Sequence, residues 1–409
     1  MAGPPRERTF DATMSLLREG YGFMGRRQAA LGSDSFRTRL MLQDVLCIMG
    51  EEAARFFYAP DRFTRKGALP PTTLLSLQDL GSVQRLDGSA HRWRKRLFLQ
   101  VLSPEAVARL GERFDAEWDA RAARWRERGE AVLYPEMGQV LTRAVCAWAG
   151  SPLADDEADR RAGEFQAMIE GAGAVGPRNW TGLLRRSRTE RWARGQIADA
   201  RAGTHADTPL AAVAFHRDEA GELLSERTAA VEYLNLLRPT VAVDRFIVFS
   251  AMALHAHPEW RERLRGADGA SYAAFCQEVR RFYPFFPMVG GRALQPFEWQ
   301  GRRFGRGAWV LLDTHGTNRD PRAWREPERF DPERFLREEA NAYNFCPQGA
   351  GEVASGHRCP GEGVAVELMA RAVRRLVAMD YQVPPQDLAI DPGRMPAIPR
   401  SRFVVRLTC

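Results

Sequence analysis

The sequence predicts a mainly α fold with small peripheral β-sheets, and three observations carry that prediction. Apolar residues recur at three-and-four spacing over seven long stretches, the signature of amphipathic helices. The runs that alternate or favour extended backbone are few and short. Proline falls at the ends of the helical stretches, as in Ser103-Pro104, His257-Pro258 and Tyr283-Pro284, where it opens or stops a helix.

In chain order, Phe10–Arg26 reads as the first helix and Arg37–Ile48 as an extended run. Pro104–Glu127 follows with Ser103 as its cap, then Asp155–Gly171 and Ser187–Ala202. Ser225–Ala256 is longer than the rest: at 1.5 Å per residue it spans roughly 50 Å, so it must cross the molecule. Its interior holds Arg238-Pro239, and the missing N–H of Pro239 predicts a kink there. Arg238 also lies between apolar residues on both sides, and a permanently charged guanidinium in such surroundings needs an anion. Tyr272–Phe282 and Gly361–Ala378 complete the helices, while Phe297–Trp299, Trp309–Asp313, Tyr381–Val383 and Phe403–Leu407 read as short strands. With 409 residues, 44% of them hydrophobic, no linker-like tract and no repeat, the chain is expected to form one domain over 1–409.

Composition excludes several classes. The net charge of +7 comes from interleaved acids and bases with no basic strip carrying stacking aromatics, so nucleic acid is not an expected partner. No window of about 18 apolar residues exists and the N-terminus MAGPPRER lacks an apolar stretch. Neither a membrane anchor nor a signal peptide is expected, which implies a cytoplasmic protein without a membrane partner. Six scattered cysteines show no spacing that would mark a disulfide framework.

One cysteine differs from the others. Cys359 sits in Gly356-His-Arg-Cys-Pro-Gly361, on a glycine-flanked turn that opens into a helix, where backbone N–H groups and the positive helix end favour a thiolate. It lacks the paired-cysteine spacing of a structural zinc site, so the metal it suits is one whose other ligands are not protein. Haem iron fits, with the porphyrin filling four positions and the thiolate an axial one.

Three features together resemble the cytochrome P-450 superfamily: the Cys359 loop, Glu278-Val-Arg-Arg281 on a helix, and Pro332-Glu-Arg-Phe335 ahead of the loop. The resemblance implies the P-450 fold and a cluster in which Glu278, Arg281 and Arg334 support the cysteine loop. A narrower resemblance, to the bacterial hydrogen-peroxide-using fatty-acid hydroxylases and decarboxylases, rests on Leu17-Arg-Glu-Gly-Tyr21, Gln84-Arg-Leu-Asp-Gly-Ser-Ala-His91, Gly173-Ala-Val-Gly-Pro-Arg178, Leu237-Arg-Pro239, Glu278-Val-Arg-Arg-Phe-Tyr-Pro284 and Pro347-Gln-Gly349.

That resemblance implies the chemistry. Arg238-Pro239 stands where oxygen-activating relatives carry an acid–alcohol pair, so Arg238 is expected to hold a long-chain fatty-acid carboxylate, which then acts as the general acid–base toward hydrogen peroxide. Oxidation falls on carbon 2 or 3. Gln84 matches a position associated with hydroxylation, with minor decarboxylation to a 1-alkene as a side path. Similarity further implies Cys359, Gln348 and Gly349 around haem b, with His91, Lys95, Arg65 and His357 on its propionates, and Ile169, Ala172, Phe285, Phe286 and Gln78 along the substrate. No redox partner is then required. The alternative is a reductase-coupled monooxygenase that uses dioxygen and electrons derived from NAD(P)H.

Overall fold

The structure, a computed structural model, describes residues 3–77, 79–203, 207–337 and 340–407. Its centre is the helix Leu133–Ala149, packed against Glu226–Val241, Asp244–Ala256 and the helix Pro104–Arg128. Leu133–Ala149 is apolar on nearly every face, because almost every residue from Leu133 to Ala149 is buried. No helix is expected here from the sequence, and Pro135 and Gly138 stand within its first two turns.

The expected elements appear with instructive changes. Asp155–Gly171, Phe297–Trp299 and Trp309–Asp313 stand where the sequence places them. The first stretch divides into Thr13–Glu19 and Gly22–Leu31, because Gly20 adopts a φ of 51° and presses on the Pro392 carbonyl, where a side chain has no room. Arg37–Ile48 is a hairpin, Ser35–Leu40 and Gln43–Met49, rather than one strand. Ser187–Ala202 begins ten residues earlier, with Pro177 in the first turn of Pro177–Ala202. The long helix breaks just after the proline, at Ala242 and Val243, into Glu226–Val241 and Asp244–Ala256.

Strands gather in a five-stranded sheet ordered Ser35–Leu40, Gln43–Met49, Trp309–Asp313, Met288–Ala293 and Phe63–Thr64. The pair Gln43–Met49 and Trp309–Asp313 is parallel and the others antiparallel. A three-stranded and a two-stranded sheet lie apart from it. Among the described residues, no helix is long and apolar enough to cross a membrane.

A buried ionic cluster ties the helix Gly269–Phe282 to the loops ahead of Cys359. Glu278 accepts from Arg281 Nε and Nη2 at 2.7 Å each and pairs with Arg334 Nε at 3.2 Å, with all three side chains almost fully buried. The remaining donors of Arg281 and Arg334 reach the carbonyls of Asn318, Pro327, Arg329 and Arg325. Two guanidiniums therefore bind the 318–334 segment through its backbone, while one carboxylate offsets part of their charge.

Glu278→Ala leaves both guanidiniums buried without their carboxylate and is expected to destabilise the fold by about 3–5 kcal/mol, read from the urea midpoint. A pH-dependent case sits at the end of the sheet. Asp313 is buried, accepts from the Gly316 N–H at 2.6 Å, and burial pushes its carboxyl up to about 7. Across pH of about 4 to 7 the folded chain holds a proton that the unfolded chain releases, so this group makes stability fall as pH rises. Asp313→Asn, which keeps an acceptor oxygen, is expected to flatten that part of the stability-versus-pH curve, measured by thermal melts at stepped pH.

Candidate functional site

A cavity opens between the break in the long helix and the Cys359 turn. Leu236, Pro239, Thr240 and Val243 form one wall, Cys359, Pro360, Gly361 and Val364 the other, and Gln84, His91, Lys95, Phe98, Gln348 and His357 close its ends. Each wall follows from local sequence. Pro239 has no N–H for the Asn235 carbonyl, the Thr240 hydroxyl donates to the Leu236 carbonyl at 3.0 Å, and the chain tightens into a turn at 242–243. On the other wall, Gly349 holds a φ of 97° under the Tyr58 hydroxyl, a position that admits no side chain, and the loop returns to bond the Cys359 N–H to the Gln348 carbonyl at 3.1 Å.

Cys359 is held in place more than it is activated. Gln348 Nε2 donates to Sγ at 3.7 Å, and Arg280 Nη2 orients Gln348 by donating to its Oε1 at 2.8 Å while also pairing with Glu362. Burial pushes the Cys359 thiol up, and the Gly361 N–H, Lys95 and Arg280 only partly oppose that push. Burial acts against the thiolate in the bare protein, and a bound iron would supply the opposing charge.

One edge of the cavity gathers two histidines, a lysine and an arginine. The His91 and His357 rings lie 4.0 Å apart, and burial, together with Lys95 and Arg65, pushes them down to about 4 and about 2, with His91 adding to the push on His357. Lys95, lowered to about 8 by burial, donates to the carbonyls of Gly356 and Arg358, the latter at 2.7 Å. Arg65 donates to the Gly290 carbonyl at 2.8 Å and stacks over Phe57. Among the described residues, none of the four is bonded to a carboxylate. A sulfur ligand, two largely apolar walls and a cationic edge fit a flat metal macrocycle that carries two carboxylates, which is the haem expected from the sequence.

Arg238 is buried at 4% exposure. Its Nη2 donates to Asn235 Oδ1 at 3.0 Å, its Nη1 has no hydrogen-bond partner, and among the described residues no carboxylate pairs with it. Burial, reinforced by Arg186, pulls this guanidinium well below its ordinary value. The connection to the cavity runs through Asn235, whose Nδ2 donates to Glu232 Oε2 at 3.0 Å and to Gln84 Oε1 at 3.4 Å. Glu232 in turn pairs with Arg94 at 2.9 Å. Burial raises the Glu232 carboxyl, against the hydrogen bond from Asn235 and the charge of Arg94.

Two buried carboxylates thus flank the helix break, and both are engaged: Glu232 as described, and Asp244 by Arg245 at 2.9 Å and Gln166 at 3.0 Å. Neither lines the cavity.

The structure brings together Cys359, Gln348, His91, Lys95, His357, Gln84 and Pro239 as cavity-lining residues. Arg238 meets the cavity through Asn235, and Arg65 lies behind the two histidines without lining it. Ile169, Ala172, Phe285 and Phe286 stand elsewhere: the first three are buried in the core, with Phe285 against Phe246 at 4.4 Å, and Phe286 is partly exposed. Gln78 lies outside the described residues. Asn235 and Glu232 went unread in the sequence. Their only signal is the spacing of three between Glu232, Asn235 and Arg238, which places all three on one helix face.

The geometry agrees with what comparison finds. The cytochrome P-450 family model matches residues 272–384, the span that holds Glu278, Arg281, Arg334 and Cys359. Cytochrome P450SP alpha (CYP152B1), solved in complex with (R)-ibuprophen, is 45% identical over 97% of this chain and 98% of its own, with a TM-score of 0.94. Cytochrome P450EX alpha (CYP152N1), solved with myristic acid, is 40% identical over 98% of each chain at a TM-score of 0.94. A variant of cytochrome P-450 OleT in complex with arachidonic acid is 30% identical over 99% of this chain and 98% of its own, at 0.95.

Lys95→Met removes one charge from the cationic edge. Loss of a charge-assisted bond of about 1.5–3 kcal/mol is expected to weaken haem retention on the order of ten- to a hundredfold, measured by titrating the haem-free chain with haemin and following the Soret band.

Proposed function

Because the chain belongs to the cytochrome P-450 family, in the branch of the CYP152 fatty-acid peroxygenases, we propose that it uses hydrogen peroxide to hydroxylate long-chain fatty acids at carbon 2 or 3. Its cofactor is a haem iron with a cysteine thiolate, which supplies the oxidising centre when bound.

One observation supports the reading above the others: Arg238 is a buried guanidinium whose Nη1 has no hydrogen-bond partner, and no carboxylate pairs with it, among the described residues. A mono-anion completes it. The carboxylate of a fatty acid matches in charge and in its ability to accept two parallel N–H bonds. Asn235 fixes the guanidinium from one side and Gln84 from the other side of Asn235, so the headgroup position is defined before substrate arrives. The neighbours solved with myristic and arachidonic acids are complexes with the same chemical class.

Held there, the substrate carboxylate is the proton carrier of the site. It takes a proton from one peroxide oxygen and returns it to the departing one, a role for which the protein has no free acid, since Glu232 and Asp244 are engaged by Arg94 and Arg245. The clamp also sets regiochemistry, because only the carbons next to the carboxyl reach the cavity. Phe98, Leu102, Leu236, Val243 and Val364 give the cavity an apolar lining suited to the faces of the macrocycle and to the carbons beside the carboxyl. Arg65, His91, Lys95 and His357 would hold the haem propionates, and Gln348 with Arg280 would orient the thiolate.

The test is direct. Purified holoenzyme is incubated with hydrogen peroxide and a saturated C14–C18 acid, with and without NADPH-linked redox partners, and products are identified by mass spectrometry. Peroxide alone is expected to give 2- or 3-hydroxy acids, and turnover that needs the partners and ignores peroxide overturns the proposal. Arg238→Ala is expected to keep the haem spectrum and to lose on the order of 100-fold or more in peroxide-driven oxidation, because the carboxylate is no longer placed.

A further inference from the structure

We infer that Arg186, a second buried guanidinium, is a specificity-determining residue of the acid site: its charge adds to that of Arg238 in selecting an anionic head group over a neutral one of the same length. The inference rests on the fatty-acid reading and names a further residue that makes the site choose a carboxylate.

Helical spacing turns Arg186 toward the interior. It is 3% exposed and belongs to the stripe Asn179, Gly182, Arg186, Thr189 and Ala193, the buried face of Pro177–Ala202, a helix that packs on Glu226–Val241, which carries Arg238. A guanidinium so placed should be saturated with close acceptors. This one is not. Its Nη1 donates to the Ser76 carbonyl at a long 3.4 Å, its Nε stands 3.8 Å from Glu190 and its Nη2 3.9 Å from Asp79, where a well-formed charged pair closes to about 2.7–2.9 Å. Both carboxylates are engaged by other groups. Glu190 accepts from Arg194 at 2.6 Å, and Asp79 accepts from Arg227 at 3.5 Å and from the Leu80 N–H.

Two matching deficits result. Among the described residues, the terminal guanidinium nitrogens that are buried without a hydrogen-bond partner are Arg186 Nη2 and Arg238 Nη1, and every other arginine with such a nitrogen has it at Nε. The two residues are also electrostatic neighbours. Arg186 reinforces burial in lowering the basicity of Arg238, and the repulsion falls on Arg238 because Arg186 keeps Asp79 and Glu190 within reach.

Holding two incompletely paired like charges in the interior works against folding, so a role in stability alone does not account for them. An anion at Arg238 relieves both. Coulomb attraction falls only as the inverse of distance and buried charges are weakly screened, so Arg186 contributes to acid binding from beyond hydrogen-bond reach. A neutral head group gains nothing from it. Arg186 therefore acts on the choice of head group, while the carbon that reacts is set by the clamp at Arg238.

The experiment titrates holoenzyme, without peroxide and in one detergent, with tetradecanoic acid and separately with tetradecan-1-ol, each dissociation constant being read by calorimetry. Arg186→Gln is expected to weaken the acid on the order of tenfold and to leave the alcohol within about twofold, whereas Arg186→Lys, which keeps the charge, restores most of the acid-to-alcohol ratio. Glu190→Gln removes a carboxylate from beside Arg186 and is expected to move the ratio the other way, which keeps the test open should Arg186→Gln fail to fold. With saturating acid and peroxide, turnover by Arg186→Gln is expected within about threefold of the parent, since binding and not the chemical step is affected. A ratio that stays constant through these variants, or acid and alcohol weakened together, overturns the inference and leaves the functional reading standing. A parent that binds acid and alcohol alike overturns both.

Discussion

A positive charge buried without its counter-ion governs this molecule. Placing the Arg238 guanidinium in the core beside Pro239, at a bond to Asn235 and little else, is unfavourable in the bare chain, and the depressed basicity of the group records that strain. The surroundings hold it regardless. Asn235 is locked by Glu232, Glu232 by Arg94, and the helix that carries Glu232, Asn235 and Arg238 is buried along most of its length. An anion of the right shape completes the arrangement, and the reading as a carboxylic-acid site follows from that deficit.

The opposite wall obeys a different constraint. Cys359 needs a fixed position more than it needs activation, and the fold supplies it from behind through Gln348, Arg280 and Glu362, with the Glu278, Arg281 and Arg334 cluster anchoring the preceding loops. Arg281 and Arg334 spend further donors on the backbone carbonyls of Asn318, Pro327 and Arg325, which ties these loops to the helix Gly269–Phe282. The two walls meet through packed helices, Asp244–Ala256 against Glu362–Ala378, so their separation is set by core packing. Two cations, Lys95 and Arg65, with His91 and His357 beside them, then mark where the charged rim of the cofactor would belong.

What the sequence by itself determined is the chemistry that chain order can carry: the Cys359 turn, the proline that ends one helix segment, the Glu278-to-Arg281 spacing, and a mainly α fold with short strands. These are local signals, since turns, caps and breaks depend on neighbours a few residues away. Leu133–Ala149 carries Pro135 and Gly138 in its first turns, residues that argue locally against a helix, and the pairing of Gln43–Met49 with Trp309–Asp313 joins segments far apart in the chain. Only the tertiary structure decided that Arg238 lacks a carboxylate while Glu232 and Asp244 are engaged, that burial acts against the thiolate at Cys359, and that Ile169, Ala172 and Phe285 pack in the core. The physical reason is common to all of these. Charge balance and desolvation depend on what surrounds a group in space, and residues distant in sequence supply most of those surroundings.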